Sequence, residues 1–90
     1  MPSARSALHK AAFWGHDHIV PWLLDDLNLD VDARDAEDDT PLHDTARFGH
    51  VAVVKALLAR GASTGLKNAA GQTAKDVAAE NGKDDVAGLL

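Results

Sequence analysis

The sequence predicts an all-α solenoid, in which short helix–turn–helix units stack side by side and are connected by hairpin-like fingers. Internal repetition is the first reason: a shift of 34 places SALHKAAFWGH (6–16) on TPLHDTARFGH (40–50), and a further shift of 33 places TAKDVAAENGK (73–83) there. The second reason is the apolar pattern after each segment, which has the helical period. The third is composition: 46% of residues are hydrophobic but only 4% are aromatic, which favours closely packed helices.

Each unit opens with a Ser or Thr, a good helix cap because its hydroxyl oxygen accepts a hydrogen bond from a backbone N–H of the first turn. The residue three positions later has the spacing of a capping box. The predicted structural capping residues are Ser6 and His9, Thr40 and His43, and Thr73 and Asp76. Because the pair recurs in three units, we interpret these residues, including the two histidines, as structural rather than catalytic.

The first helix of each unit carries small residues and is expected to end at a glycine: Gly15, Gly49 and Gly82. A second helix follows, and Pro21 fits it only if that helix begins near His18. Turn-forming stretches at 32–40 and 66–73 become the fingers. One extra residue within 25–29 accounts for the longer first period. The chain is thus predicted to be one domain, 1–90, with repeats at about 6–34, 35–67 and 68–90, the last partial or capping.

Four segments resemble the ankyrin repeat: TPLH at 40–43, GH at 49–50, VVKALLARGA at 53–62 and DVDARD at 30–35. The resemblance covers nearly the whole chain. It implies an ankyrin-repeat solenoid that acts as a non-catalytic protein–protein interaction module and binds a partner on its concave surface. The family positions that project there, carried onto this sequence, give these candidates: Phe13, Trp14, Arg34, Glu37, Asp39, Arg47, Phe48, Lys67, Gln72, Glu80 and Asn81.

The scarce aromatic residues allow two interpretations. Trp14 and Phe48 either contact a partner or pack against a finger, and Phe13 either joins them or covers an open end of the stack. Trp22 lies on the predicted second helix and is expected to serve packing rather than recognition. The alternative function is a structural or regulatory segment of a longer ankyrin-repeat protein whose ends pack on flanking repeats. The sequence is compatible with a small complete protein and with a fragment.

The third unit departs from the other two at one core position. Lys75 stands where they have Leu8 and Leu42. A charged residue there is expected in a terminal cap, whose outer face contacts water.

The formal net charge of −5 argues against a nucleic-acid partner and against an anionic membrane surface. Acidic residues crowd the region 25–39, which we interpret either as a solvated face or as a patch that steers a basic segment of the partner. The partner is therefore expected to be another protein. If the acidic region steers the partner, that protein is expected to carry a basic segment.

Motifs of catalysis and ligand binding are missing from the sequence. It has no cysteine, no glycine-rich phosphate loop and no recognisable catalytic motif, and HDH at 16–18 lacks a third ligand at a metal-binding spacing. We therefore expect no enzyme activity and no catalytic, metal or cofactor-binding residue. The N-terminus lacks the apolar stretch of a signal peptide, and no apolar run is long enough for a membrane span. A monomer in the cytoplasm or nucleus is expected.

Overall fold

A computed structural model of the protein describes residues 7–90. That part of the chain contains no strand and folds into six helices: α1 (Ala7–Trp14), α2 (Ile19–Asp25), α3 (Pro41–Phe48), α4 (Val51–Ala59), α5 (Ala74–Glu80) and α6 (Asp84–Leu89). Consecutive helices pair, which gives a first, second and third repeat. The pairs stack with α1, α3 and α5 in one layer and α2, α4 and α6 in another. The predicted all-α solenoid is confirmed.

Local side-chain chemistry sets the ends of α3. The Thr40 hydroxyl oxygen accepts a hydrogen bond from the His43 backbone N–H at 3.4 Å, and the Thr40 backbone N–H donates to His43 Nδ1 at 3.1 Å. Pro41 occupies the first turn, where its missing N–H leaves no partner unsatisfied. Gly49 ends the helix with φ of 75°, a left-handed conformation that favours glycine.

The same capping arrangement begins α5, where Asp76 replaces histidine. The Thr73 hydroxyl oxygen accepts from the Asp76 backbone N–H at 3.2 Å, and the Thr73 backbone N–H donates to the Asp76 carboxylate at 3.0 Å. The predicted pair of Ser6 and His9 cannot be compared with these, because Ser6 lies outside the described residues.

Helix α2 begins at Ile19, which leaves Pro21 in its first turn, where a proline is tolerated. The extra residue of the first repeat lies where α2 ends. There the Leu29 backbone N–H donates to the Leu23 carbonyl, six residues back, whereas in the second repeat Ala62 donates to Leu57, five residues back. The insertion is thus absorbed in the turn after α2, and the stacking of the helices continues past it.

The core runs through the middle of the stack and is built from aliphatic and small side chains. Leu8, Leu42, Leu57 and their neighbours are fully or almost fully buried. Ala12, Ala46 and Ala78 are completely buried, and their small side chains let the helices of the first layer approach closely. The core thins toward one end: Val86 is the only buried residue of α6, whereas α4 buries three.

Two buried histidines connect each repeat to the next. His9 Nε2 lies 2.6 Å from the Asp39 carbonyl oxygen, and His43 Nε2 lies 2.9 Å from the Gln72 carbonyl oxygen. A carbonyl oxygen only accepts, so Nε2 carries the hydrogen and donates in both cases. In His43 the other ring nitrogen accepts from Thr40, so one imidazole joins the cap of its own helix to the chain entering the next repeat.

Replacing His43 with alanine is expected to lower the free energy of unfolding by about 2–4 kcal/mol, because it leaves polar groups of the buried Thr40 and of the half-buried Gln72 without their partner. Urea unfolding followed by circular dichroism measures this loss. His18→Ala is the matched control, since that side chain is 97% exposed and its loss is expected to change stability by less than about 0.5 kcal/mol. Equal effects of the two substitutions would contradict the structural role of His43.

The Asp76 carboxylate is expected to make stability depend on acid pH. The hydrogen bond from the Thr73 backbone N–H lowers the pKa of Asp76 below its ordinary value of 3.8. A carboxylate whose pKa is lower in the folded state stabilises fully above its unfolded pKa and loses that contribution as the pH falls through the folded pKa. The contribution is therefore present above pH 3.8 and is lost below it.

Thermal unfolding of the wild type and of Asp76→Asn at several pH values measures this effect. The asparagine oxygen can still accept from Thr73 but does not titrate. The two chains are expected to differ by a constant amount at neutral pH and to converge or cross as the pH falls below 3.8. Parallel curves through the acid range would contradict the prediction.

Candidate functional site

The candidate surface is formed by the fingers and by the C-terminal ends of α1, α3 and α5. The first finger (residues 32–40) is organised by Asp35, whose Oδ1 accepts from the backbone N–H groups of Glu37 and Asp39 at 2.9 and 3.0 Å. In the second finger (residues 66–73), Asn68 repeats this arrangement with the amides two and four positions further on. The tips turn at Asp38 and Gly71, both with positive φ.

The two fingers are bonded to each other, so their tips form a continuous row. The Ala69 backbone N–H donates to the Glu37 carbonyl oxygen at 3.0 Å. The guanidinium of Arg34 donates to the Lys67 carbonyl oxygen at 2.9 Å. Three of the candidate residues are thereby placed side by side at this edge. The side chains of Arg34, Glu37 and Lys67 are all exposed.

Asp39, one of the candidate partner-binding residues, is buried. Its side chain is 1% exposed, and its carboxylate accepts from Arg47 Nη2 at 3.3 Å and from Asn68 Nδ2 at 3.0 Å. Its carbonyl oxygen accepts from His9. The expectation that Asp39 contacts a partner is therefore corrected: the finger turns this residue inward, where it links three elements of the fold.

Arg47 lies beside this buried group and forms ion pairs with two carboxylates. Its guanidinium is 3.3 Å from Asp39 and 3.3 Å from Asp44, both of which are essentially inaccessible to solvent. The arginine side chain itself keeps 32% of its surface exposed. Arg47 is thus held in one orientation by charge-assisted hydrogen bonds, and its exposed part contributes a fixed cation to the surface.

Four aromatic side chains of the first two repeats, Phe13, Trp14, Phe48 and His50, form one contiguous row, which we call the aromatic row. The ring centroid of Phe13 is 5.1 Å from that of Trp14 and 4.6 Å from that of Phe48, both in edge-to-face geometry. His50 stacks on Phe48, and its Nε2 donates to the Phe13 carbonyl oxygen at 3.0 Å. Trp14 and Phe48 nevertheless remain 68% and 41% exposed.

The aromatic side chains therefore combine the two predicted roles, since part of each ring packs within the fold and part stays accessible to a partner. Phe13 is half-buried and packs between the repeats, whereas Trp14 and Phe48 contact it in edge-to-face geometry and keep much of their surface exposed to solvent. Trp22 differs from its expected packing role, since 51% of its surface is exposed.

The third repeat contributes a polar section of the surface. Gln72 donates through its side-chain amide to the carboxylate of Glu80, which joins the second finger to α5. The Asn81 side-chain amide donates to the Val77 carbonyl oxygen at 2.8 Å. Along the stack, the candidate surface changes from aromatic in the first two repeats to amide and carboxylate groups in the third.

The acidic region 25–39 divides into structural and exposed carboxylates. Asp25 forms an ion pair with Arg60 at 2.9 Å, and the hydrogen bond from that guanidinium lowers the pKa of Asp25 below its ordinary value. Asp32 accepts from the Ser63 backbone N–H and hydroxyl at 3.0 and 2.8 Å. Asp25 stays exposed despite its ion pair, and the other residues of this region with exposed carboxylates are Asp26, Asp30, Glu37 and Asp38.

Three metal-ligating side chains meet inside the fold at a place that the sequence did not indicate. Ligand atoms of His9, Asp35 and Asp44 lie within 4.8 Å of one another, and all three residues are buried. His9 donates to Asp39, Asp35 accepts from the finger amides, and Asp44 accepts from Arg47. We therefore assign the trio to the hydrogen-bond network beneath the first finger. The HDH histidines, His16 and His18, are both exposed.

Sequence reasoning missed Asn68, which organises the second finger and also holds Asp39. A signal for it existed: a shift of 33 places Asn68 on Asp35, and both side chains can accept hydrogen bonds from a turn.

Another structural observation concerns the length of the helices. Among residues 7–90, none of the helices is long and apolar enough to cross a bilayer.

Known proteins place this chain in a family. A family model described as ankyrin repeats in three copies matches residues 8–90. The chain is 34% identical over 89 residues to human ankyrin repeat domain-containing protein 37, covering 99% of this chain and 56% of the relative. It is 33% identical over 88 residues to a Caenorhabditis elegans homolog of transient receptor potential cation channel subfamily A member 1, covering 96% of this chain and 7% of the relative.

A third relative, alpha-latrotoxin-Lh1a of Latrodectus hasselti, is 39% identical over 71 residues, which cover 79% of this chain and 5% of the toxin. The chain thus spans little more than half of the shortest of these relatives and a small part of the two others. The stacked helix pairs, the caps of α3 and α5 and the family match agree, and the chain belongs to the ankyrin-repeat family.

Proposed function

We propose that this chain is a non-catalytic protein–protein interaction module that binds its partner on the surface formed by the fingers and the C-terminal ends of α1, α3 and α5. Ankyrin repeats are generally protein-binding modules and generally non-catalytic, which supports the class of function. The partner surface proposed here comprises ten of the eleven candidates, without Asp39.

The observation that carries the proposal is the exposure of Trp14 and Phe48 on adjacent repeats. Trp14 and Phe48 expose 68% and 41% of their surface to water. Neighbouring exposed apolar side chains of this size are typical of a surface that binds another molecule. Aromatic residues and arginine are enriched among the residues that dominate binding energy at interfaces. Arg47 lies next to Phe48 in the sequence, which adds a cation to the same area.

Rigidity supports the same surface as a binding site. Phe13, beneath Trp14 and Phe48, is held by the hydrogen bond from His50, and Arg47 is held by two buried carboxylates. The fingers are bonded to each other by backbone groups. A surface that is already ordered loses less conformational entropy on binding, so more of its contact energy becomes affinity.

The chemistry of the surface suggests the kind of partner segment. An apolar anchor would cover Trp14 and Phe48, and a basic flank would lie near the exposed carboxylates of Glu37 and Glu80. We infer that the module works as a monomeric scaffold in the cytoplasm or nucleus.

Substitution of both exposed aromatics is expected to weaken partner binding at least tenfold, which corresponds to about 1.4 kcal/mol, because the anchor contacts are lost. Affinity capture from a lysate identifies the partner with the wild-type chain, and titration calorimetry then compares it with a Trp14→Ala, Phe48→Ala double variant. Phe13 stays unchanged, since it packs between the repeats.

Trp22→Ala is the matched control, because Trp22 is an exposed tryptophan on the second layer of helices. Its affinity for the partner is expected to equal that of the wild type. Equal affinity of the double variant and the wild type, with both folded by circular dichroism, would contradict the proposed surface. A loss of binding in Trp22→Ala alone would place the partner on the opposite layer.

A further inference from the structure

The two ends of the stack differ in chemistry, and comparison of equivalent positions shows how. Ala7 and Ile19 are exposed in the first repeat, although the residues at the same positions in the second and third repeats are buried. For Ile19, with 45% of its surface exposed, the equivalents Val53 and Val86 are both 0% exposed. These positions face the preceding repeat. We call this surface of the first repeat the N-facing end: Ala7, Lys10, Trp14, His16 and Ile19.

The N-facing end is a shallow groove with an apolar floor. Its residues, together with Ala11 and Leu23, line a volume of about 360 Å³. Ile19 and Trp14 rank among the large hydrophobic side chains most exposed in the described chain. Lys10 and His16 lie among them and are also exposed.

The interface between the first and second repeats shows what fits such a surface. There, Val53 and Leu57, the equivalents of Ile19 and Leu23, are completely buried. His50, the equivalent of His16, donates through Nε2 to the Phe13 carbonyl oxygen of the first repeat. The N-facing end therefore carries the same donor and the same apolar positions that already bind one repeat to another within this chain.

The opposite end of the stack lacks this character. The positions that face the following repeat are filled by Leu8 and Ala12 in the first repeat, where both are completely buried. In the third repeat the same positions hold Lys75 and Ala79, which are exposed. An ammonium group at a buried leucine position would be costly to desolvate, so this end meets water.

We propose that the N-facing end is a docking surface for one further ankyrin repeat, stacked in the same register as the second repeat on the first. The docking repeat presents an apolar residue at the position of Leu8 and Leu42 and a backbone carbonyl to His16. A second copy of this chain is not that occupant, because its matching end carries Lys75. The sequence suggested packing at both ends as an alternative; the surfaces support it at this end alone.

The test uses a copy of the chain's own α3–α4 pair with the finger that follows it as the docking unit. Residues 40–72 are inserted between Arg5 and Ser6, which keeps the whole chain and continues its register. The extended chain is expected to unfold at a higher temperature than the original, because the apolar groove becomes an internal interface.

Ile19→Lys distinguishes docking from a general gain in stability. In the original chain Ile19 is exposed, and the substitution is expected to change the thermal midpoint by less than about 3 °C. In the extended chain the same lysine would occupy a position equivalent to buried Val53, and the midpoint is expected to fall by about 8 °C or more. His18→Lys is the control, since His18 and its equivalent Ala52 are both exposed and neither chain should respond.

Two outcomes would overturn the proposal. One is an equal effect of Ile19→Lys in both chains, which would mean that the inserted repeat leaves the groove open. The other is self-association of the original chain in sedimentation equilibrium that Ile19→Lys abolishes, which would assign the groove to a second copy. The test does not rely on Trp14, which borders both this end and the proposed partner surface, so the two proposals can fail independently.

Discussion

A buried imidazole spans the junction between repeats, and the geometry of the stack follows from it. The carbonyls that His9 and His43 bind belong to the last residues before the caps of α3 and α5. Each of these carbonyls lies where a finger enters the interior, so it needs a hydrogen-bond donor away from water. Because a histidine of the preceding repeat supplies that donor, the start of each later helix is fixed relative to its neighbour. The spacing of the fingers and the contacts within the aromatic row depend on this fixed position of one repeat against the next.

Local chemistry explains why the sequence predicted the helices and caps well. The Thr40–His43 and Thr73–Asp76 pairs lie within one turn, so their spacing alone determines which groups meet. Asp39 illustrates the opposite case. Its burial requires Arg47 from α3 and Asn68 from the next finger, and these contacts arise only once the repeats have stacked. The exposure of the Trp14 and Trp22 side chains likewise depends on which elements pack beside each helix. A local sequence pattern does not hold that information.

The buried carboxylates beneath the first finger hold part of the proposed partner surface in place. Arg47 is oriented by Asp39 and Asp44, and Asp39 is in turn held by Asn68, so the second finger helps to fix a cation on the first two repeats. The aromatic row and the fingers are therefore mechanically connected through the core. A substitution of Asp39, Asp44 or Asn68 is expected to change the shape of the proposed partner surface although none of the three belongs to it, because polar networks of this kind rigidify the groups they join.

The thin core around α6 has a dynamic consequence. Because each repeat contacts only its neighbours, the free energy needed to open a helix reflects the apolar surface it shares with the next one. α6 buries Val86 alone, while α3 buries side chains against repeats on both sides. Amide hydrogens of α6 should thus exchange with solvent through local opening, whereas those of α3 should exchange only when the whole array unfolds. Within the described residues, opening is therefore expected to be easier in α6 than in α3, the helix that carries Phe48 of the aromatic row.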